Sequence, residues 1–480
     1  MSTAGELTSA SPLETIRVER IDPGTWRDRA VELLAGGARF LSLYASGRES
    51  PVVRAVFESS ELTVLETVSA SVPSIVDLAP AATWDEREAH DLFAIEFPAH
   101  EPLRPLVDHP DDLAAWTIAV HGHDPHQVAV GPIHAGIIES GHFRFHNVGE
   151  RILHVDIRLF YKHRGLERLA EQLPVDEAIR VAQRACAACA VANSVAFAQA
   201  CEQALGLRPD DGLAAVRTVL LELERIWNHL NDISAVCAGI GFAPGSMAFA
   251  ALKERAQRVN AQIAGHRFLF DTVSIGRSPL ELNQAKARQA HAELRTIQLD
   301  AARAWREVRF NGSVQARLDG VGALTRDQAI ALGTVGPAAR AAGVAFDRRS
   351  SGTRLAYSGF VPAAPASPTG DVRARLELRA TELDASFAVL DQLLARRLDA
   401  PVAHPCGPIG TPGFAAIESP RGETVCSVHL EDGERVARLH LRTGSYANWP
   451  SVAAAATDNL LPDFPLINKS FELCYSCADR

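Results

Sequence analysis

The stretch Leu213-Ala-Ala-Val-Arg-Thr-Val-Leu-Leu-Glu-Leu-Glu-Arg-Ile-Trp-Asn-His-Leu230 decides the fold. Leu213, Val216, Leu220, Leu223, Ile226 and Leu230 recur every three or four residues, which places them on one apolar stripe of an α-helix. The helical pattern extends outward from here. It begins at Val175, where Pro174-Val-Asp176 is a helix start, and runs to about Leu398. Further helices are predicted over Ala248–Thr272, Asn283–Val308 and Val372–Arg397, with the Pro- and Ala-rich segment Gly359–Asp371 as a loop between the last two. Ala185–Ala200 is apolar but built of small residues and interrupted by Asn193, Ser194 and Gln199. A spanning helix wants about 20 larger apolar residues, so this segment predicts a buried core helix and no direct membrane span.

Strands flank the helices. Within Gly141–His163, Phe143 and Phe145 alternate with polar neighbours, Asn147–Glu150 supplies a turn, and Val155, Ile157 and Leu159 continue the period of two: a β-hairpin. Val425–Leu430 and Val436–Leu441 flank Glu431-Asp-Gly-Glu434, a second hairpin. Near the N-terminus Arg27–Leu34 predicts a helix, Thr63–Val68 and Ser74–Leu78 predict strands, and Trp84–Phe93 is a charged amphipathic segment. The expected class is α+β: a small N-terminal α/β domain, then a mainly helical domain with flanking β-hairpins. Residues 1–14 form a polar tail, and the run Asp108-His-Pro-Asp-Asp112 marks a boundary between 15–112 and 113–480. No internal repeat is visible.

The net charge of −10, with no Lys- or Arg-rich stripe, argues against a nucleic-acid partner, which demands clustered cations facing phosphates. No Gly-rich loop follows a predicted strand, so a nicotinamide site is not expected. The first twelve residues lack a basic flank followed by an apolar run, which predicts no secretion signal. Eight cysteines without such a signal point to a reducing compartment and to metal binding before disulfides.

Cys186-Ala-Ala-Cys189 falls in the first long helical stretch, where residues three apart share a face. Cys474-Tyr-Ser-Cys477 lies at the other end of the sequence. Either pair alone reads as small core residues; two pairs together read as a metal site. Ionising four ordinary thiols at neutral pH costs roughly 8 kcal/mol. A four-ligand zinc site gains roughly 10–16 kcal/mol with that cost included, so a soft metal keeps the cluster ionised. Spacing alone leaves the metal open, with a structural zinc as the simpler alternative.

The runs Gly131-Pro-Ile-His-Ala-Gly-Ile-Ile-Glu-Ser-Gly-His-Phe-Arg-Phe145 and Phe160-Tyr-Lys-His-Arg-Gly-Leu-Glu167 resemble the large subunit of energy-converting (group 4) nickel–iron hydrogenases of the formate hydrogenlyase type, a relative of the 49-kDa subunit of respiratory complex I. Glu222–Leu230, Glu418-Ser-Pro-Arg-Gly-Glu423 and Asp463–Phe471 extend the resemblance. Glu86-Arg-Glu-Ala-His-Asp-Leu-Phe-Ala-Ile95 resembles the 30-kDa subunit of complex I. The resemblance covers about residues 80–480, and this chain has all four cysteines that the complex I subunits have lost.

The resemblance implies a nickel–iron centre with carbonyl and cyanide on iron, Cys186 and Cys474 as terminal ligands of nickel, and Cys189 and Cys477 as bridges. Hydrogen is then split heterolytically, a terminal thiolate takes the proton and a carboxylate carries it away. Glu139 matches the proton-relay glutamate, against an ordinary exposed carboxylate. Arg421 matches the arginine over the open metal position, against a turn residue in Ser-Pro-Arg-Gly. Asp463 is assigned to orient Arg421 or the cluster, against a capping role. Glu167 and Arg164 are read as an ion pair at a helix start, with a proton route as the other reading. His121, His123, His126 and His134 crowd what reads as a solvated loop, and Cys201, Cys237, Cys406 and Cys426 as unpaired thiols.

The sequence departs from the family at Ala187, where Gly is usual, at Asn193, where His is usual, and at Glu472-Leu473, where Asp-Pro is usual. Arg480 stands where family precursors are cut. The resemblance further implies an iron–sulfur small subunit that holds all the clusters, membrane subunits, coupling to a formate dehydrogenase, and a cytoplasmic, peripheral place on the inner face of the cell membrane. A complex-I-like scaffold subunit without a working metal site, in a family associated with quinone, is the alternative. A zinc-stabilised subunit is a third.

Overall fold

The computed structural model describes residues 16–121, 124–134, 139–280, 282–351, 354–395, 402–405, 410, 412–432 and 434–480. The predicted tail 1–14, His123 and Cys406 lie outside them.

The N-terminal sheet comprises β1 (Ile16–Arg20), β2 (Arg39–Ser46), β3 (Val52–Glu58) and β4 (Leu62–Val68) in the order β1-β4-β3-β2, with β1 parallel to β4 and the other pairs antiparallel. Helices α1 (Trp26–Ala35) and α2 (Thr83–Phe93) cover one face, where Trp26, Ala30 and Ala89 pack on Leu43, Val53, Phe57 and Leu65. On the other face Leu41, Tyr44, Val56 and Val64 meet Phe414, Ala416 and Val425 of the C-terminal sheet. A sheet buried on both faces loses the polar–apolar alternation that marks a half-exposed strand. For that reason β2 and β3 are not apparent from periodicity.

Ser74–Leu78, predicted as a strand, is a turn-bearing segment. One of its backbone donors is taken by a side chain: the Glu86 carboxylate accepts from Ile75 N at 2.8 Å, and also from Ser74 Oγ at 2.7 Å. The charged segment Trp84–Phe93 is helix α2, and its charges face inward. Asp85 pairs with Arg442 at 3.0 Å and Glu86 bonds His100 at 2.8 Å.

The first predicted hairpin is present as β6 (His142–Val148) and β7 (Arg151–Arg158), widened to three strands by β5 (His126–Val130). His126 therefore sits in a strand. Next come α3 (Leu166–Ala170), α4 (Val175–Gln183), α5 (Ala190–Ala204), the short strand β8 (Leu207–Pro209) and the 29-residue α6 (Asp211–Gly239). Asp210 caps α6 by accepting from Leu213 N at 2.6 Å, and the whole apolar stripe of that helix is buried. Helices α7 (Ala243–Ala264) and α8 (Gln284–Arg309) follow. Three short helices, α9 (Gly312–Leu318), α10 (Arg326–Ala331) and α11 (Gly336–Ala341), lead to α12 (Val372–Leu394), which packs on α6.

The short strand β9 (Ala403–Pro405) pairs with β8, and the C-terminal sheet is β10 (Gly413–Ser419), β11 (Gly422–Glu431) and β12 (Arg435–Arg442) in sequence order. Helices α13 (Gly444–Ala456), α14 (Phe464–Phe471) and α15 (Tyr475–Asp479) follow it. The segment expected as a buried core helix is α5, which packs on β10 and β11. No single helix among the described residues is long and apolar enough to cross a membrane.

Gly413 permits the close approach of β10 to α5. A Cβ there would stand 2.0 Å from Ala200 O and 2.9 Å from Ala204 Cβ, both fixed by the helix. Gly413→Ala is expected to destabilise the chain by about 2–3 kcal/mol through overpacking, seen as a lower urea midpoint at unchanged slope.

Candidate metal centre

The two cysteine pairs, almost three hundred residues apart, meet. Their four sulfurs lie within 4.8 Å of one another, with Cys186, Cys189 and Cys477 buried and Cys474 half-buried. The first pair is not inside a continuous helix, as its spacing predicts. It occupies the break between α4 and α5, whose axes differ by 118°. Cys186 is extended at φ −159°, and Ala187–Cys189 forms a single 3-10 turn in which Ala188 N donates to Cys186 Sγ at 3.3 Å. Glu224 explains the break. Its carboxylate accepts from Val191 N at 2.7 Å and Ala192 N at 3.1 Å, capping α5 from outside.

The second pair straddles the start of α15. Cys474 N donates to Ser445 Oγ at 3.0 Å, Thr443 Oγ1 donates to Cys477 O at 3.0 Å, and Ser476 N donates to Glu139 Oε2 at 2.8 Å. Arg164 clamps the two pairs together. Its guanidinium donates to Arg184 O at 3.0 Å and Ala185 O at 2.9 Å, just before Cys186, and more weakly to Ser476 O at 3.4 Å. Contrary to the ion pair read from the sequence, it does not pair with Glu167. That carboxylate is taken by Arg480 at 2.7 Å and Arg438 at 2.9 Å. Asp479 accepts from Phe160 N and Lys162 N, fastening α15 to the Phe160–Glu167 motif.

Arg421 reaches the cluster from the turn between β10 and β11. Burial works against its charge, but Asp232, together with Cys474 and Cys189, keeps it firmly protonated. Its Nη1 bonds Asp232, and its Nη2 donates to Asn228 Oδ1 at 3.0 Å. Asn228 in turn donates to Ala188 O at 2.8 Å, so one amide fixes both the arginine and the first cysteine turn. Asp232 is buried, yet Arg421, His229 and Arg379 hold its carboxyl down at about 2. Behind it His229 Nε2 bonds Glu382 at 2.9 Å, and Glu382 pairs with Arg340 at 2.6 Å.

Asp463 is not part of this arrangement. It stands at the start of α14 with its carboxylate 3.1 Å from Arg317, so the orienting role expected of it falls to Asp232. The signal for the overlooked residues is present in the sequence: Glu224, Asn228 and Asp232 follow at i, i+4 and i+8, a polar row on a buried helix. Asn193 is fully buried in α5, and neither of its amide atoms has a partner among the described residues. Glu472 has φ +51°, accepts from Asn231 at 3.3 Å, and is pushed up to about 8 chiefly by burial. Among the described residues, the histidines of the 121–134 segment belong to no metal-ligating group. Cys201, Cys237 and Cys426 are buried thiols of the core.

Burial also pushes Glu224 up to about 8 from an ordinary 4.5, against its two backbone N–H bonds. Because the folded value is the higher one, the stability it brings is complete below about 4.5 and is lost as pH rises towards 8. Glu224→Gln keeps an acceptor for α5 and removes the titration. Its unfolding free energy is therefore expected to fall less steeply over that window in urea titrations; an unchanged slope contradicts the assignment.

The donor set fits a soft metal: four sulfurs at bonding spread, three of them buried, with a fixed guanidinium beside them. Comparisons with known proteins identify the family. The respiratory-chain NADH dehydrogenase 49-kDa subunit family matches residues 240–412 and 408–480, and the 30-kDa subunit family matches residues 44–123. Formate hydrogenlyase subunit 5 of Escherichia coli is 30% identical over 456 residues, covering 85% of this chain and 77% of that one. The membrane-bound hydrogenase subunit alpha of Pyrococcus furiosus is 28% identical, over 74% and 87% of the two chains. A solved subunit of the membrane-bound sulfane sulfur reductase, an archaeal respiratory membrane complex, shares the fold with a TM-score of 0.68 at 24% identity, over 74% of this chain and 99% of that one.

Fold and relatives together define an oxidoreductase subunit. The chain belongs to the family that joins the large subunits of group 4 membrane-bound hydrogenases, formate hydrogenlyase among them, with the 49-kDa subunit of complex I, and it carries a 30-kDa-subunit segment in the same polypeptide.

Proposed function

We propose that this chain is the catalytic large subunit of a formate-hydrogenlyase-like nickel–iron hydrogenase, which interconverts hydrogen with protons and electrons and passes the electrons to an iron–sulfur partner subunit. The observation that carries this reading is the convergence of all four sulfurs within 4.8 Å. A scaffold that binds no metal has no use for four thiols held beside a buried arginine. Cys186, Cys189, Cys474 and Cys477 would hold a nickel–iron pair with carbonyl and cyanide on iron. When bound, that pair supplies heterolytic cleavage and formation of hydrogen.

The residues of the chain handle the proton and the charge. Arg421 presents a fixed positive charge to the cluster without reorganisation, because Asp232 and Asn228 hold its fork. Cys474, the half-buried sulfur, is the thiolate placed to take a proton. Glu139 bonds the backbone two residues further on and is the carboxylate to receive it. We assign residues 15–112 and 113–480 as its two domains, and the inner face of the cell membrane as its place, with membrane subunits and a formate dehydrogenase as partners.

Glu139→Gln tests the proton path. Hydrogen–deuterium exchange is expected to fall about 10²–10⁴-fold with nickel and iron retained. Unchanged exchange in a metal-loaded variant removes Glu139 from the path.

A further inference from the structure

One face of the sheet β5–β7 is polar, with two arginines and three histidines against one aspartate. Strand alternation sends Phe143, Phe145 and Val155 into the core. On the opposite face the register sets His142 beside Arg158, Arg144 beside Asp156, and His146 beside His154. Of these six side chains one is a carboxylate. Asp156 is already engaged: it accepts from Arg104 at 2.7 Å, His146 at 2.9 Å, His154 at 3.2 Å and Ile118 N at 3.3 Å. Trp116 lies under this face, its ring 5.0 Å from the Arg158 guanidinium and 5.9 Å from that of Arg144.

At the β7 edge of this sheet, beside α2 and α13, is a cavity of about 200 Å³, whose lining includes Arg87, Arg104, Trp116, Asp156, Arg158 and Trp449. Arg87 is buried and donates to the backbone oxygens of Arg104 and Pro105, both at 2.7 Å. The neighbouring Asp91 is occupied by the N–H groups of Leu106, Val107 and Asp108. Among the described residues Arg158 donates only to Pro110 O, at 3.2 Å, with Asp111 in electrostatic reach but forming no ion pair. The Nε atoms of Arg104 and Arg158 and the indole Nε1 atoms of Trp116 and Trp449 are buried without an acceptor among the described residues. Three guanidiniums thus line the cavity with one carboxylate, Asp156, while Asp91 and Asp111 act on Arg87 and Arg158 from outside the lining. Burial, with Arg104 adding, pushes Arg87 down to about 10, and burial lowers Arg158 as well. A buried cation such as Arg87 is unfavourable unless an anion compensates it.

We propose that this cavity binds an oxyanion of the phosphate class, free or as a lipid headgroup, with Arg87, Arg104 and Arg158 supplying the charge. The planar guanidinium fork suits a tetrahedral oxyanion, and the volume exceeds that of one phosphate. This site is separate from the cysteine cluster and does not depend on a metal being present.

The test uses the full chain at constant ionic strength. Inorganic phosphate is titrated calorimetrically against sodium chloride as control, and sedimentation with vesicles containing phosphatidylglycerol is compared with pure phosphatidylcholine vesicles. Wild type is expected to bind at least one phosphate source saturably, and Arg158→Gln at least tenfold more weakly. Phosphate binding alone identifies a free anion; selective sedimentation with phosphatidylglycerol identifies a headgroup. Should Arg158→Gln fold poorly, Arg158→Lys keeps the charge but not the fork and is expected to weaken binding several-fold. Absence of binding to both sources, or binding that neither variant weakens, overturns the proposal.

Discussion

Cys477→Ser is expected to leave a folded chain that holds less than about a tenth of the wild-type metal and lacks measurable hydrogen activity. The thiol is fully buried, its segment is fixed by Thr443 and by the Asp479 contacts, and serine differs by a single atom. Folding therefore has little reason to fail. Metal affinity does, because a serine hydroxyl is not deprotonated near neutral pH and is a hard donor where the site offers soft thiolates. The three remaining sulfurs stay within 4.8 Å of one another but cannot close the set. Metal analysis beside circular dichroism separates the two effects. Full metal content with activity lost moves Cys477 from ligand to some other role, and full activity contradicts the site.

Asp232→Asn comes next in expected effect. Asp232 is the acid through which Arg421 is tied to Arg379 and, via His229, to Glu382 and Arg340. Removing its charge leaves two guanidiniums, Arg421 and Arg379, facing one neutral amide in a dry interior. Breaking a buried pair from one side costs about 3–5 kcal/mol, less where the substitute still accepts hydrogen bonds. The amide oxygen of the new side chain is still an acceptor, so the chain is expected to fold with a lower urea midpoint. Arg421 loses its fixed direction, and hydrogen activity is expected to drop about 10–100-fold while the metal remains. Asp463→Asn is the control. Because Asp463 meets only the part-exposed Arg317, activity and stability are expected to be unchanged.

These two acids show where the sequence is legible and where it is not. The helical body announces itself, since an apolar stripe such as Leu213–Leu230 has no other simple explanation. The cysteine pairs do too, because two Cys-x-x-Cys pairs at distant places in one chain are rare as filler. What escapes is anything decided by a partner distant in sequence. Cys186 and Cys189 read as helical because the cap that interrupts the helix, Glu224, lies more than thirty residues away. Ser74–Leu78 reads as a strand because the competitor for its N–H group is the Glu86 side chain. The strands Arg39–Ser46, Val52–Glu58 and Gly413–Ser419 are buried on both faces and show no period to detect. Asp463 stands out in the sequence because it sits in a motif, whereas Asp232 is hidden in a helix that otherwise reads as core.

Whether the four-sulfur pocket holds nickel and iron decides the function. The most direct measurement is elemental analysis of the protein purified with its partners, joined to infrared spectroscopy in the region of iron-bound carbonyl and cyanide stretches. A hydrogenase large subunit contains nickel and iron in near-equal amounts, with those bands present and both lost together in Cys477→Ser. Zinc alone, or no metal with no such bands, contradicts that function and leaves a scaffold that has kept its cysteines.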